Sequence, residues 1–263
     1  SLLDNHQGHE GIRRESLLPS CYFVSFVVSP IMSIAENIAA VRDRIQAAAR
    51  RAGRSPDSVA LMAVSKTFPA ESIHEAHAAG LRLFGENRVQ EFATKAGAVQ
   101  SLADVRFHMI GHLQTNKAAK AAELFQAVDS VDSLRLAEKL NEGAHKLGKK
   151  LAVLIEVNVG GEAAKSGIAP GSPELEAILH AGPSLADLDI RGLMTVPPFS
   201  DDPEAARPYF RQLRELRDRL AAQSANAVQL TELSMGMSHD FEVAIEEGST
   251  CVRVGTAIFG SRA

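Results

Sequence analysis

Hydrophobic residues along the chain follow two spacings, one typical of helices and one typical of buried strands. From Ser33 to Arg51 apolar side chains recur every three or four residues, which predicts a helix that stops before Gly53. The run VALMAVS (59–65) then predicts a buried strand, and ESIHEAHAAG (71–80) returns to the helical spacing. The chain therefore begins its pattern as helix, strand and helix.

Pairs of strand and helix then recur to the end of the sequence. The remaining apolar runs are LRLFG (81–85), RFHMIG (106–111), AVDSV (127–131), LAVLIEVNV (151–159), LDIRGLMTV (188–196), QLTELSMGM (229–237) and CVRVGTAIFG (251–260). Helical patterns follow all but the last of them. This alternation predicts parallel strands with helical crossovers, and eight strands close a (β/α)₈ TIM barrel. An open doubly wound sheet is the alternative, but no G-x-G-x-x-G segment opens the first helix.

Composition and charge limit the kinds of molecule that the chain is expected to bind. The chain has 263 residues, a net charge of -4 and two cysteines, Cys21 and Cys251, which lack CxxC spacing. Its interspersed charges offer no basic face to nucleic acid or to a membrane, so we expect a small soluble ligand. The cysteines predict neither a disulfide scaffold nor a zinc site, and they fit a reducing, cytoplasmic location.

Residues 1–31 differ from the rest of the sequence. Their apolar segment is too short to span a bilayer, and Arg13 and Arg14 ahead of it give a weak resemblance to a signal peptide. The simpler interpretation is an upstream extension, with Met32 as the natural start and one ligand-binding barrel domain over residues 32–263. A mass spectrum of protein from its native cells tests this, because a mature chain beginning well before Met32 would contradict it.

Small or polar residues follow most of the predicted strands, where a barrel binds its ligands. They are Lys66 after strand 1; Gly85, Glu86 and Asn87 after strand 2; Gly111, His112, Asn116 and Lys117 after strand 3; Asn158 after strand 5; Met194 and Thr195 after strand 6; SMGMSHD (234–240) after strand 7; and RVGT (253–256) after strand 8.

The last two of these segments predict a phosphate site. Ser234 and Gly236 on one side, and Gly255 and Thr256 on the other, supply hydroxyls and glycines that let backbone N–H groups approach an anion. Two further residues, Ser238 and Asp240, are candidate caps for the next helix. The alternative is that all of these are ordinary helix caps and turn glycines.

The strand pattern predicts the direction in which the Arg253 side chain points. Strand alternation turns the valines on either side of it toward the surrounding helices and Arg253 into the barrel. A buried guanidinium needs an acceptor, either a carboxylate such as Glu232 or Glu156 or a ligand atom with a lone pair. Together with a phosphate site and a lysine at the end of strand 1, this outlines a site for pyridoxal phosphate, in which the amine of Lys66 attacks the aldehyde. A solvated strand end is the alternative for Lys66.

Seven segments, in the same order from about residue 34 to the C-terminus, resemble the YggS/PROSC family of pyridoxal phosphate homeostasis proteins. These proteins are single-domain barrels similar to the N-terminal domain of alanine racemase. The segments are LMAVSKTFP, FGENRVQE, FHMIGHLQTNK, VLIEVNVGGEAAKSGI, IRGLMTV, LSMGMSHDFEVAI and GSTCVRVGTAIFGSR.

The resemblance implies that Lys66 forms the Schiff base and that Arg253 contacts the pyridine nitrogen. The other cofactor contacts that it implies are Ser234, Gly236, Gly255 and Thr256 for the phosphate, and Asn87 and Met194 along the cofactor. Two residues remain open. His112 stands where many members have proline, and it lies either at the pocket rim or in solvent. Lys165 matches a family lysine and is either a secondary cofactor contact or an exposed side chain.

The expected function is that of a carrier. An arginine at the pyridine nitrogen keeps that nitrogen unprotonated and weakens the ring as an electron sink. Related racemases take a tyrosine base from an additional C-terminal domain, and neither Tyr22 nor Tyr209 is placed to replace it. We expect a monomer that holds, buffers or delivers pyridoxal phosphate, with cofactor-dependent apo-enzymes as recipients. The alternatives are an amino-acid racemase or related imine-forming enzyme, whose second base would be water, His112 or a partner chain, and an aldolase-like barrel acting on sugar phosphates.

Overall fold

Eight parallel strands form a closed barrel in the computed structural model, which describes residues 32–162, 165–223 and 228–260. Each strand pairs with its neighbours in sequence, and the first pairs with the last. The strands are β1 (Ala60–Val64), β2 (Leu83–Glu86), β3 (Arg106–Met109), β4 (Ala127–Val131), β5 (Leu151–Glu156), β6 (Leu188–Met194), β7 (Glu232–Met237) and β8 (Cys251–Val254). The predicted (β/α)₈ barrel is confirmed, whereas residues 1–31 lie outside the described part of the chain.

Helices cover the outside of the barrel. They are α1 (Ile34–Arg51), α2 (Ala70–Ala78), α3 (Val89–Val99), α4 (Ala118–Leu124), α5 (Leu134–Lys146), α6 (Pro173–Ala181), α7 (Arg207–Gln223), α8 (Phe241–Glu246) and α9 (Thr256–Phe259). The helix predicted ahead of the first strand is capped by Ser33, whose hydroxyl accepts a hydrogen bond from the N–H of Glu36 while the Glu36 carboxylate accepts one from the N–H of Ser33. None of the helices in the described ranges is both long and apolar enough to cross a bilayer.

Strand alternation divides the core into two layers. Val252 and Val254 belong to the large apolar cluster that joins the barrel to its helices, as predicted. Met62, Leu83 and Cys251 form a smaller cluster of their own, which also contacts Ile110. This interior is narrow, because a β-carbon on Gly85 would lie 2.8 Å from the sulfur of Met62. Side chains therefore fill the barrel, and a ligand finds room at its mouth.

Two predictions near the C-terminus are wrong in detail. The strand expected over residues 251–260 ends at Val254, because the chain turns at Gly255 and continues as α9. Ser238 does not cap α8; its hydroxyl accepts hydrogen bonds of 3.2 and 3.4 Å from the N–H groups of Gly255 and Ala257. Asp240 is at the N-cap position, but its carboxylate accepts from the N–H of Met237 instead of a helix N–H.

Candidate functional site

A cavity of about 580 Å³ opens at the C-terminal ends of the strands. Its wall includes Lys66 after β1, Asn87 after β2, Glu156 at the end of β5, and Arg253 and Gly255 at the end of β8. This volume lies within the range of sites for small molecules and cofactors. Side chains that are far apart in the sequence thus share one space at the barrel mouth, where they were expected.

Lys66 reaches this space from a tight turn. The turn begins at the buried Ser65 and is closed by a 3.1 Å hydrogen bond from the N–H of Phe68 to the carbonyl of Ser65. Lys66 is half-buried and its side chain lines the cavity. Lys66 therefore borders the cavity from a backbone turn that is closed by a hydrogen bond.

Arg253 points into the barrel mouth, as predicted, and is only 4% exposed. Its Nη1 donates to the Oγ of Ser234 and its Nη2 to the carbonyl of Thr195, both at 2.7 Å. Among the described residues no carboxylate lies within ion-pair distance of it, so of the two alternatives for its acceptor the salt bridge to Glu232 or Glu156 is not formed. Burial lowers the pKa of Arg253, although an arginine remains charged at any physiological pH.

Three residues that the resemblance assigned to the cofactor lie behind the cavity wall. Met194 and Ser234 are paired across β6 and β7, and both are buried. Gly236 has a φ of 94°, and a β-carbon there would lie 2.5 Å from that of Ala244 on α8, so this glycine permits the helix to pack closely. The cavity wall formed by the described residues does not include these three, and their cofactor contacts stay predictions.

The remaining predicted residues of the phosphate site border the cavity. Gly255 and Thr256 line it together with Ser238, and the Ser238 hydroxyl already faces the turn after β8. The Ser238 hydroxyl accepts from two N–H groups of that turn and keeps its own O–H to donate, and with the Thr256 hydroxyl it is a suitable donor for an anion. The sequence assigned Ser238 only to a helix cap, so its place in this wall was not foreseen.

Glu156 is the least expected member of the wall. It is 8% exposed, and its Oε2 has no hydrogen-bond partner among the described residues. Burial, reinforced by Asp132 and opposed by Arg253 and His112, raises the pKa of Glu156 to about 7. The cavity therefore contains a carboxyl group that exchanges its proton near neutral pH. The sequence identified Glu156 only as a candidate ion-pair partner of Arg253, so its place in the cavity wall was not foreseen.

His112 and Lys165 both lie at the rim. The Nδ1 of His112 is 3.1 Å from the carboxylate of Asp132, and its side chain is 56% exposed, so it borders the cavity and faces solvent at once. Lys165 donates a 3.1 Å hydrogen bond to the carbonyl of Pro197 and pairs with the Glu162 carboxylate. Its side chain is tied to the rim while it lines the cavity.

Known proteins resemble most of this chain in sequence and in fold. The family model of the alanine racemase N-terminal domain matches residues 37–263. Two relatives, each named pyridoxal phosphate homeostasis protein, are 47% identical over 231 residues in Aquifex aeolicus and 48% identical over 230 residues in Pseudomonas aeruginosa. Each alignment covers 88% of this chain, with 99% of the first relative and 96% of the second.

A solved structure agrees with the sequence relatives. PipY of Synechococcus elongatus, determined with PLP bound, matches with a TM-score of 0.76 and 41% identity. The match covers 87% of this chain and 100% of that chain. This chain therefore belongs to the alanine racemase N-terminal domain family and, within it, to the pyridoxal phosphate homeostasis proteins.

Proposed function

We propose that this chain binds pyridoxal 5'-phosphate covalently through Lys66 and holds it for intracellular vitamin B6 homeostasis, buffering the cofactor or delivering it to apo-enzymes. One observation carries the proposal: a single cavity joins the side chain of Lys66 to the buried guanidinium of Arg253. The names of the Aquifex and Pseudomonas relatives, and the PLP bound in PipY, support the same ligand.

The wall residues suit the chemical groups of this cofactor. The primary amine of Lys66 suits an aldehyde, and the hydroxyls of Ser238 and Thr256 suit a phosphate. Arg253 has five N–H donors, of which two bond to other described residues, so its guanidinium can also donate to a ring nitrogen. Glu156 adds a buried carboxyl oxygen that needs a partner.

When bound, the cofactor supplies an aldehyde that condenses with a primary amine, forming a carbon–nitrogen double bond and releasing one water. Lys66 provides that amine and must be deprotonated to attack. Arg253, which stays charged, would leave the ring nitrogen it contacts unprotonated, and this weakens electron withdrawal by the ring. The residues therefore favour holding the cofactor over turning over a substrate.

Absorbance and mass spectrometry test the covalent site. Purified protein mixed with pyridoxal 5'-phosphate should show a yellow band that borohydride bleaches, and digestion should place the reduced adduct on the peptide containing Lys66. Lys120→Ala, in an exposed ion pair on α4, is the matched control and should behave as the wild type. Delivery is tested by mixing loaded protein with a set of apo-enzymes and following their reactivation. A wild-type protein that never forms the adduct contradicts the proposal.

Glu156 favours a second candidate function, an amino-acid racemase or related imine-forming enzyme. It places an acid–base group with a pKa of about 7 in the same wall as Lys66. Loaded protein incubated with a panel of amino acids in deuterated water distinguishes the two functions. Rapid α-proton exchange that disappears in Lys66→Ala and falls in Glu156→Gln would replace the carrier proposal with the enzyme.

Location and assembly complete the proposal. A cytoplasmic location is part of the proposal and is supported by the two cysteines, which lack CxxC spacing. The carrier acts as a monomer in this proposal, because the described residues of one chain line a cavity of sufficient size for the cofactor. Light scattering of loaded and unloaded protein tests the assembly. A stable dimer whose formation is required for binding would contradict the monomeric carrier.

A further inference from the structure

The turn that carries Lys66 has an unusual backbone. It spans residues 65–68, and we call it the Lys66 turn. Thr67 has a φ of 67°, in the left-handed region that β-branched residues rarely adopt. With the hydrogen bond from Phe68 to Ser65, this φ fits a type II turn, whose third position normally holds glycine or asparagine. Surrounding contacts must hold such a conformation in place, and such conformations cluster at functional sites.

Two side chains from α3 hold this turn. The Nζ of Lys95 donates hydrogen bonds of 2.9 Å to the carbonyl of Ser65 and 3.0 Å to the carbonyl of Phe68, the two ends of the turn. The carboxylate of Glu91, one helical turn earlier, accepts a hydrogen bond from the N–H of Thr67 in its middle. Lys95 is only 10% exposed, so water competes little for its ammonium.

The end of β2 completes the network. Glu86 is fully buried, and its Oε1 accepts from the Oγ of Ser65 at 2.6 Å and lies 2.9 Å from the Nζ of Lys95. Burial raises the pKa of Glu86, against the opposing effects of Ser65 and Lys95. Lys95 thus has two separable roles: it compensates a buried carboxylate, and it fixes the backbone on both sides of Lys66.

We propose that Lys95 is a positioning residue for Lys66: by holding both ends of the Lys66 turn it keeps the amine directed into the cavity. The inference rests on the proposed function, since it concerns the reaction of Lys66 with the aldehyde of pyridoxal 5'-phosphate. Lys95 touches neither reactant; it acts through the carbonyls of Ser65 and Phe68. Loss of its hydrogen bonds lets Thr67 leave its strained conformation, and the amine then samples orientations away from the cavity.

Two variants that both lack the charge of Glu86 separate the two roles of Lys95. Lys95→Met alone leaves Glu86 buried without its cation and would destabilise the protein for that reason. Glu86→Gln removes this charge while Lys95 still reaches the turn, so Glu86→Gln is the reference and Glu86→Gln with Lys95→Met is the test. Lys95→Arg supplies another buried cation with several N–H donors and serves as the conservative rescue.

Three measurements compare these variants. Stopped-flow absorbance gives the rate of covalent capture of pyridoxal 5'-phosphate, equilibrium dialysis gives total binding, and NMR gives the amide exchange of Thr67 without ligand. Relative to Glu86→Gln, the double variant should capture the cofactor at least about tenfold more slowly, with total binding changed by less than about threefold. The Thr67 amide of the double variant should exchange at least about tenfold faster than that of Glu86→Gln. Lys95→Arg in place of Lys95→Met should restore most of the capture rate.

The outcomes distinguish this inference from the proposed function. Capture at the reference rate by the double variant, with unchanged exchange of the Thr67 amide, overturns the positioning role while the covalent site stands. A wild-type protein that forms no adduct at Lys66 overturns the proposed function, and the positioning role with it. Equal losses of capture and total binding would show that Lys95 shapes the whole cavity, which also contradicts a role specific to Lys66.

Discussion

The Nη1 of Arg253 donates a 2.7 Å hydrogen bond to the Oγ of Ser234, a residue that lies behind the cavity wall. The second bond, to the carbonyl of Thr195, holds the other edge of the guanidinium. These two hydrogen bonds fix the plane of the Arg253 guanidinium. Only a planar group with several N–H donors can make both bonds and still present a donor to the cavity. Ser234 therefore orients Arg253, whatever contact it makes with the cofactor itself.

Arg253→Lys should weaken the binding of pyridoxal 5'-phosphate by about tenfold to a hundredfold. Lysine keeps a charge but cannot reproduce the planar fork, and a hydrogen bond from a charged group contributes about 1.5–3 kcal/mol. Equilibrium dialysis measures the change. Arg191→Lys, at an exposed pair with Asp189, should bind like the wild type. Unchanged affinity in Arg253→Lys would show that the ligand does not use the fork.

Lys66→Ala should abolish the borohydride-sensitive absorbance and keep part of the non-covalent binding. The substitution removes the amine, whereas Arg253, Ser238 and Thr256 still border the cavity. Dialysis alongside absorbance separates the two effects. A variant that binds no cofactor at all would contradict the placement of the phosphate at the turns after β7 and β8.

Glu156 should make the ligand-free protein less stable as the pH rises. Burial and Asp132 raise its pKa to about 7 in the folded state, against Arg253 and His112, while its ordinary value is 4.5. The folded state therefore binds the proton more tightly, so this stabilisation is complete below pH 4.5 and is lost as the pH rises through about 7. The shift corresponds to a contribution on the order of 3 kcal/mol.

Urea unfolding at pH 5 and pH 8 checks this contribution. The free energy of unfolding of the wild type should fall relative to that of Glu156→Gln between the two pH values, because glutamine stays neutral. Glu142→Gln, on the exposed face of α5, should run parallel to the wild type. A constant difference between wild type and Glu156→Gln would show that Glu156 is ionised in the folded protein throughout.

Glu247→Ala should destabilise the protein by about 1.5–3 kcal/mol, the usual contribution of hydrogen bonds to a charged group. The Glu247 carboxylate is 5% exposed and pairs with Arg207, Arg211 and Arg214 of α7 at 3.2, 2.9 and 2.9 Å. Burial alone would raise its pKa, but hydrogen bonds from Arg211 and Arg207 outweigh burial and lower it. The stabilisation is therefore present above the ordinary carboxyl pKa and is lost as the pH falls.

Thermal and urea unfolding measure the effect of Glu247→Ala at neutral pH. Glu123→Ala, in an exposed ion pair on α4, is the control and should change the free energy of unfolding by no more than about 0.5 kcal/mol. Equal effects of the two substitutions would show that the three arginines bond to Glu247 without stabilising the fold.

The fold could be predicted from the sequence because the spacing of apolar residues within each short segment indicates whether that segment is a strand or a helix. Each of the eight apolar runs became a strand, and the helix that follows Ser33 carried its own capping signals. The failure at residues 251–260 has a local cause. Apolar residues continue past Val254, and the spacing alone does not show that Gly255 ends the strand and starts α9.

The site could be predicted only where a strand end fixes the position of a side chain. Lys66, Asn87 and Arg253 follow from strand alternation and barrel closure, and all three line the cavity. Lys95 and Glu91 look in the sequence like an ordinary pair one helical turn apart. Their bonds to the turn depend on how α3 packs against β1 and β2, which no linear pattern specifies.

The pairing of β1 with β8 brings together the two sides of the cavity, because Lys66 follows β1 and Arg253 lies on β8. Lys66 precedes Arg253 by most of the barrel, so a growing chain exposes this lysine before the opposite side of the cavity has been made. Only when the last strand joins the first do both sides face one space. A complete binding cavity therefore requires the closed barrel, because the first and the last strand each contribute one of its sides.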